Sequence, residues 1–261
     1  MSNTANRLKR KSRTEKVKEG AIPTHKTKFE ETSQSIPKFE AKTQNQKLAL
    51  AYLREGRQVV NLQGAAGAGK SMIAAYWAAT QLKNKKIDSV ILIRPNVHNG
   101  KSLGSVPGTE AEKLASFFIQ TMSHLENFLG GAMFKYCIDK SIITTRAFEY
   151  CRGQSWENCI VIAEEVQGLT SDEFETLLTR VGEGCQLITT GDTRQINKGF
   201  TSGMDSTFKM IEDAVENQPN YLDDADLDVL EDAVGIVHFT TADILRSGFC
   251  RAMVKLYYNK Q

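Results

Sequence analysis

One stretch, QGAAGAGKSMIAAYWAAT at residues 63–80, carries the strongest structural signal in this chain. Residues 64–71 fit the pattern G-x-x-x-x-G-K-[ST] at every fixed position, after a β-branched run and before a helical one. Glycines let backbone N–H groups turn inward, and the N-terminus of the following helix adds a partial positive charge. The stretch therefore predicts a cradle for phosphate groups, in preference to a small-residue turn that only leads into a buried helix.

The lysine and the serine of this loop have separate expected roles. Lys70 would reach the β- and γ-phosphates of a nucleotide, and Ser71 would place its hydroxyl on Mg²⁺. The remaining candidate phosphate-binding residues are Gly64, Ala65, Ala66, Gly67, Ala68 and Gly69.

Short apolar runs alternate with longer helical patterns along most of the chain. The predicted strands are 58–62, 89–93, 142–144, 159–163, 186–190 and 235–240. The predicted helices are 43–55, 70–83, 109–128, 146–151, 171–181, 203–217 and 241–258. Continuous apolar strands such as VILI and IVIA are typical of a parallel sheet covered on both faces. The alternation predicts a doubly wound α/β domain, with helices on both sides of a mostly parallel central sheet.

Two acidic residues follow the predicted strand 159–163. Hydrolysis needs a carboxylate that holds the metal and a group that orients or deprotonates water, and we expect both at the end of a strand beside the loop strand. Glu164 is the candidate metal ligand together with Ser71, and Glu165 is the candidate base. Glu164 stands where an aspartate is usual, and its extra methylene moves the carboxylate by roughly 1.5 Å. Mg²⁺ often keeps water molecules between itself and the protein, so this change is tolerable.

A third strand-end motif, Gly191-Asp192-Thr193-Arg194-Gln195, follows the predicted strand 186–190. An amide can donate a hydrogen bond to a γ-phosphate and also hold a water molecule, so Gln195 is the candidate sensor of the γ-phosphate. Three such motifs in this order favour nucleotide hydrolysis.

Charge is unevenly distributed along the chain. Residues 1–47 hold twelve Lys and Arg against five Asp and Glu, whereas residues 212–232 hold nine acids and no base. Such blocks are typical of solvated, mobile chain, and a basic tail can alternatively add salt-dependent affinity for nucleic acid. We predict a basic disordered arm at residues 1–37 and one nucleotide-binding domain at residues 38–261. Within that domain, we interpret residues 218–232 as an acidic linker or surface insertion.

Several classes of protein are disfavoured by the composition. The five cysteines form no CxxC pair, which argues against a disulfide framework or a zinc cluster. No apolar run approaches the roughly 18–20 residues that a membrane span needs. We expect a cytoplasmic protein without a membrane partner.

With these motifs, residues from about 42 to 257 resemble the PhoH-like family of P-loop ATPases. Residues 43–47, Thr-Gln-Asn-Gln-Lys, resemble the family's glutamine motif, which implies that Gln46 reads the adenine edge. Residues 94–108 resemble its RP-x-V-x-x-G-x-x-LG-x-x-PG stretch, and residues 243–246, Asp-Ile-Leu-Arg, match another motif. The chain departs from the family at residues 164–168, which read Glu-Glu-Val-Gln-Gly instead of the usual Asp-Glu-Ala-Gln-Asn.

The resemblance implies a RecA-like core related to superfamily-one helicases. It implies ATP and Mg²⁺ as cofactors, hydrolysis of ATP, and a link to RNA or single-stranded DNA. In some relatives it also implies a homo-oligomeric ring, in which an arginine reaches a neighbour's nucleotide. Arg246 and Arg251 sit where those arginines would be, and the alternative for each is a surface position on an amphipathic terminal helix.

Two main functional hypotheses follow. The first is an ATPase coupled to RNA or single-stranded DNA, with Lys70, Glu165, Gln195 and Arg246 as its catalytic residues. The second is a binding switch or oligomeric module that holds the nucleotide and hydrolyses it weakly, which Glu164 motivates. A helicase or packaging-type motor built from a single RecA-like domain is a third and less favoured possibility.

Overall fold

The described part of the chain consists of residues 35–95, 116–151, 153, 155–196 and 199–258 of a computed structural model. All of them belong to one compact unit, Gln34–Gln261. Three predictions fall wholly or partly outside these residues. They are the basic arm over residues 1–34, most of the motif at residues 94–108, and residues 109–115 of the helix at 109–128.

A six-stranded sheet, parallel at every described pairing, forms the centre of the fold. Its strands lie in the order β3-β2-β4-β5-β1-β6. They are β1 (Val59–Gly64), β2 (Ser89–Arg94), β3 (Ile143–Ala147), β4 (Cys159–Glu164), β5 (Gln186–Gly191) and β6 (Val234–Phe239). All six predicted strands are confirmed, with ends that shift by up to three residues.

Eight α-helices are described. They are α1 (Gln44–Glu55), α2 (Lys70–Lys83), α3 (Ile119–Leu129), α4 (Gly131–Asp139), α5 (Ser171–Leu178), α6 (Gly203–Asn217), α7 (Asp224–Ala233) and α8 (Gly248–Tyr258). Short 3-10 helices lie at Phe148–Cys151, Val166–Gly168, Thr193–Gln195 and Thr241–Asp243.

Apolar side chains cover the sheet on both faces. On one face, alternate strand residues such as Val161 and Leu187 pack with Phe174 of α5 and Phe208 of α6 in one buried cluster. Their neighbours along the strands, such as Ile162, are equally buried on the other face, as the two-residue period of a strand requires. Burial on both faces explains why these strands read as continuous apolar runs.

Strand β5 lies between the loop strand β1 and the acidic strand β4. The expectation that the acidic strand lies directly beside the loop strand is therefore wrong. Because every strand is parallel, the carboxyl ends of β1, β5 and β4 still meet at the same edge of the sheet. The three predicted motifs, which follow these three strands, are brought to one place.

The acidic segment at residues 218–232 is not a linker, because most of it forms α7. The Asp223 side chain accepts a hydrogen bond from the N–H of Asp226 and caps the helix, and the capping box is completed by Asp226 in return. Acids in the first turn interact favourably with the helix dipole. Leu227 is buried, which anchors this highly charged helix on the domain.

Two helix predictions also need correction, and one further helix was not predicted. Residues 146–151 do not form an α-helix, since β3 extends to Ala147 and a four-residue 3-10 helix follows. Residues 241–258 do not form one continuous helix, since the 3-10 helix Thr241–Asp243 is separated from α8 by an irregular segment. That segment contains Arg246, which therefore lies before the terminal helix and not on it. Helix α4 was not predicted.

Candidate nucleotide site

The loop between β1 and α2 needs its glycines. Gly64, Gly67 and Gly69 have φ of 136°, 91° and 91°, values that L side chains rarely adopt. A methyl group on Gly64 would overlap the carbonyl oxygen of Phe239, and one on Gly67 would lie 3.0 Å from Nε of Arg246. Helix α2 begins at Lys70 without a side-chain cap, which leaves its first N–H groups available for an anion.

Lys70 lies among three acids at the end of this loop. Its ammonium donates hydrogen bonds to the carbonyl oxygens of Gly64, at 2.5 Å, and Ala65, at 2.9 Å. Burial lowers the pKa of Lys70, while the nearby charges of Asp192, Glu165 and Glu164 oppose that shift. An ammonium has three hydrogens, so one more donor can face a phosphate.

Ser71 and Glu164 meet as the sequence predicts for a metal site. The Ser71 hydroxyl donates a hydrogen bond to Oε1 of Glu164 at 2.8 Å. Both are hard oxygen donors, and Mg²⁺ in phosphate-binding sites takes one or two carboxylates and completes its shell with water and phosphate oxygens. The described residues contain no cluster of three or more His, Cys, Asp or Glu side chains around a possible metal. The donor set fits a phosphate-bound Mg²⁺ and does not fit an all-protein metal cage.

Glu164 has a second hydrogen-bond partner that the sequence does not predict. Thr121 on α3 is 1% exposed, and its hydroxyl donates to the same Oε1 atom at 2.5 Å. The two residues are 43 positions apart. An isolated threonine on a helix carries no pattern that would have revealed this contact.

Glu165 is held by the residue two positions further on. Glu165 has φ 57° and ψ 33°, the left-handed region, and its carboxylate accepts a hydrogen bond from Nε2 of Gln167 at 2.7 Å. The Gln167 oxygen accepts the N–H of Asp192 at 3.2 Å, which connects the end of β4 to the end of β5. Non-glycine residues in this backbone region cluster at functional sites. Gln167 matched the family pattern but was not predicted as a site residue.

Gln195 is anchored to the aspartate of its own motif. Its Nε2 donates to Oδ2 of Asp192 at 3.1 Å, and the other oxygen of Asp192 accepts the N–H of Arg194 at 3.2 Å. The motif Gly191–Gln195 therefore folds into a compact turn that ends in the 3-10 helix Thr193–Gln195.

Gln46 lies against the phosphate loop. The side chain is 2% exposed, accepts the N–H of Lys42 at 2.9 Å and donates to the carbonyl oxygen of Ala68 at 3.0 Å. Its amide oxygen and its NH₂ group can each make one further hydrogen bond. Recognition of adenine by Gln46 stays a prediction.

One cleft of about 390 Å³ brings most of the predicted residues together. Its lining includes Gln46, Ala66, Gly67, Gly69, Lys70, Ser71, Glu165, Gln195 and Arg246. Gly64 instead lines a neighbouring cleft of about 280 Å³, which Asp192 shares. Ala65 and Ala68 are buried beneath the loop, and Glu164 lies behind Ser71 and is 7% exposed.

The two candidate arginines differ in position. Arg246 lines the cleft and lies against Gly67, whereas Arg251 is an exposed residue of α8 that does not line it. In this chain only the first of the pair stands beside the phosphate loop.

A parallel sheet with a glycine-rich loop after β1 and acidic residues after β4 defines a P-loop nucleotide-binding protein with a RecA-like core. The chain belongs to the PhoH-like protein family, whose model matches residues 38–258. Protein PhoH of Escherichia coli (strain K12) is 32% identical over 214 residues, which are 80% of this chain and 56% of that protein. The PhoH-like protein of Bacillus subtilis (strain 168) is 34% identical over 172 residues, 65% of this chain and 54% of that protein.

The chain spans about half the length of these curated relatives. Among solved structures, the large terminase from a thermophilic bacteriophage has a TM-score of 0.46 at 10% identity and covers 82% of this chain and 49% of that one. The UvsW helicase from Bacteriophage T4 has a TM-score of 0.38 at 16% identity, over 62% of this chain and 58% of that one. Among the described residues, no helix has the length and apolarity that crossing a bilayer requires.

Proposed function

We propose that this protein binds Mg-ATP in the 390 Å³ cleft and hydrolyses it. The observation that carries the proposal is the convergence of three strand ends. Ser71, at the start of α2 after β1, contacts Glu164 at the end of β4 at 2.8 Å, although β5 lies between β1 and β4, and Lys70, Glu165 and Gln195 line the same cleft.

Each residue has a role that its contacts support. The loop N–H groups and Lys70 would bind the phosphates, and Ser71 and Glu164 would hold Mg²⁺. Bound Mg²⁺ would neutralise charge that develops on the phosphate oxygens. Glu165, whose carboxylate is oriented by Gln167, positions and deprotonates the attacking water.

Two further side chains face the γ-phosphate in this proposal. Gln195 can donate to a γ-phosphate oxygen or hold water, because its amide is fixed beside the cleft by Asp192. Arg246 supplies a guanidinium, which stabilises charge in the loose transition state of phosphoryl transfer.

Phosphate release from ATP by wild type and by Lys70→Ala tests hydrolysis at this site. We expect the variant to lose nearly all activity, since it removes the cation that contacts the transferred phosphate. Lys86→Ala, which removes an exposed lysine beyond α2, is the matched control and keeps the wild-type rate. Equal rates for wild type and Lys70→Ala would rule the proposal out.

We also propose that hydrolysis is coupled to RNA or single-stranded DNA. The support is the excess of seven positive charges over residues 1–47, which would give salt-dependent contact with phosphates. The proposal includes a division of the chain into an arm at residues 1–37 and a domain at residues 38–261, and the family match begins at residue 38. We also propose a reducing, cytoplasmic setting, with which the five free thiols agree. Hydrolysis rates measured with RNA, with single-stranded DNA and with neither test the coupling, and identical rates contradict it.

The second candidate function is a nucleotide-dependent binding switch or oligomeric module that turns over slowly. Oε1 of Glu164 already accepts two hydroxyl hydrogen bonds. They hold the carboxylate in one position, and a carboxylate that cannot shift with the metal during the reaction favours slow turnover. Glu164→Asp discriminates between the two functions. A large rise in turnover supports the switch, whereas an unchanged rate supports the working ATPase.

A further inference from the structure

Arg246 stands over the phosphate loop of its own chain. A methyl group placed on Gly67 would lie 3.0, 3.1 and 3.3 Å from Nε, Cδ and Cγ of Arg246, so the stem of the arginine packs on the loop backbone. The same arginine lines the cleft with Lys70 and Gln195. Its guanidinium is therefore close to any phosphate bound there without help from a second copy.

A buried aspartate fixes the segment that carries this arginine. Asp243 lies three residues before Arg246, ends the 3-10 helix Thr241–Asp243 and is 3% exposed. Its Oδ2 accepts hydrogen bonds from the N–H of Thr240 at 2.7 Å and from Nδ2 of Asn45 at 2.8 Å. Burial would raise the pKa of Asp243, but hydrogen bonds, first among them that from Thr43, outweigh it and lower the pKa.

The partner of this aspartate belongs to α1, which also contacts the phosphate loop. Asn45 donates from Nδ2 to the His238 carbonyl oxygen at 3.0 Å as well as to Asp243. The next residue, Gln46, donates to the Ala68 carbonyl oxygen at 3.0 Å. Two adjacent side chains of α1 thus connect the arginine segment to the loop that cradles phosphate.

We propose that Arg246 acts on the nucleotide bound in its own chain, and that the Asn45–Asp243 hydrogen bond positions it there. The proposal rests on the proposed ATP hydrolysis and assigns Asn45 and Asp243 as positioning residues. The hydrogen bond to Asp243 fixes the backbone three residues before Arg246, and packing of the arginine stem on Gly67 directs the guanidinium to the phosphate end of the cleft. The irregular segment between Asp243 and α8 is what brings Arg246 back over Gly67.

Mixed assemblies test whether the arginine acts within one chain. Lys70→Ala chains keep Arg246 but have a disabled loop, and Arg246→Ala chains keep the loop but lack the arginine. The two are co-expressed with different tags and purified through both tags. We expect no activity above that of the single variants, whereas restoration would show that one chain supplies Arg246 to another and would overturn the proposal. If no doubly tagged species forms, an activity per chain that is independent of dilution supports action within one chain, and an activity lost on dilution overturns it.

A double-mutant cycle tests the positioning role. We expect Asn45→Ala and Asp243→Asn each to lower kcat about 10- to 100-fold, as misplacement of a catalytic group does, while the affinity for ADP stays unchanged. Adding Arg246→Ala to either variant should then cost much less than it does in wild type, because the three residues act as one unit. A merely structural role predicts independent, additive losses that extend to ADP affinity, and this result would overturn the assignment. Asp228→Asn, an exposed position on α7, is the matched control.

A binding measurement separates this inference from the proposed hydrolysis. Affinities for a non-hydrolysable ATP analogue and for ADP are compared in all these variants. We expect Arg246→Ala and Asp243→Asn to lose the preference for the triphosphate while they still bind ADP, even if no turnover is detected in any chain. If Arg246→Ala loses that preference and added Lys70→Ala chains restore it, the arginine acts between chains and the inference fails. If wild type binds the triphosphate and does not hydrolyse it, only the proposed hydrolysis fails.

Discussion

Oε1 of Glu164 accepts hydroxyl hydrogen bonds from two different helices, Ser71 on α2 and Thr121 on α3. Two donors fix the direction of a side chain that has one more rotatable bond than the aspartate usual at this position. Partners behind a metal ligand orient it, and they affect metal affinity without touching the metal. Thr121 is thus expected to offset part of the added freedom of Glu164.

Thr121→Val should lower the affinity of the site for Mg²⁺. The variant keeps the branched shape and removes the hydroxyl, and the loss of such a partner lowers metal affinity by about 10- to 100-fold. We expect the Mg²⁺ concentration for half-maximal hydrolysis, and that for tight binding of an ATP analogue, to rise by a factor in this range. Thr121→Ser keeps the hydroxyl and serves as control. If the valine variant keeps the wild-type Mg²⁺ dependence in both assays, Thr121 has no role in orienting Glu164.

The loop after β1 depends on a close contact between two strands. Gly64 pairs with Phe239 of β6, and a methyl group on Gly64 would overlap the Phe239 carbonyl oxygen. The first glycine of the phosphate pattern therefore has a packing reason as well as a conformational one. Gly64 belongs to a motif that is usually explained by ligand binding, but here it also allows the edge strand β6 to pair with β1.

Gly64→Ala should destabilise the domain and abolish nucleotide binding together. The new methyl group requires β6 to move, and the left-handed φ adds strain of about 1–3 kcal/mol. Chemical denaturation and binding of a fluorescent ATP analogue measure the two effects. Gly248→Ala is the control, since no atom lies within 4 Å of its added methyl group and its φ is not positive. A Gly64→Ala protein as stable as wild type would contradict the described contact.

Local patterns predicted the elements better than the contacts between them. The six strands and α2 follow from apolar runs and from the glycine–lysine–serine pattern, which are local signals. Helix α7 was hidden because nine acids over residues 212–232 resemble solvated chain, although a capped N-terminus and one buried leucine stabilise a helix there. The irregular segment before α8 was not predicted, because the residues around Arg246 continue a helical pattern.

Much of the site was predictable, and the supporting residues were not. Lys70, Ser71, Glu164, Glu165 and Gln195 follow strand ends in a fixed order, so their convergence could be inferred from a parallel sheet. Thr121 contacts Glu164 across 43 positions of sequence, and Asn45 contacts Asp243 across 198 positions. Such contacts depend on how helices pack on the sheet, and no single-sequence pattern encodes that packing.

The distribution of charge over the whole molecule predicts a salt-dependent partner. Residues 1–34 carry nine Lys and Arg against four Asp and Glu. Each basic contact with a phosphate releases counterions, so its loss lowers the slope of log Kd against log salt by about 0.7–0.9. Removal of residues 1–34 should weaken binding to a single-stranded RNA and reduce this slope, as measured by fluorescence anisotropy at several salt concentrations. An unchanged slope would show that the basic arm does not contact nucleic acid.

We propose that the cleft hydrolyses the nucleotide as well as binding it. A variant of Glu165 distinguishes these two activities. Phosphate release and binding of an ATP analogue are measured side by side for wild type, Glu165→Gln and the exposed control Glu183→Gln. We predict that Glu165→Gln binds the analogue as wild type does and releases phosphate about 100-fold or more slowly, since it loses the general base. A Glu165→Gln protein that hydrolyses ATP at the wild-type rate would contradict the proposed mechanism.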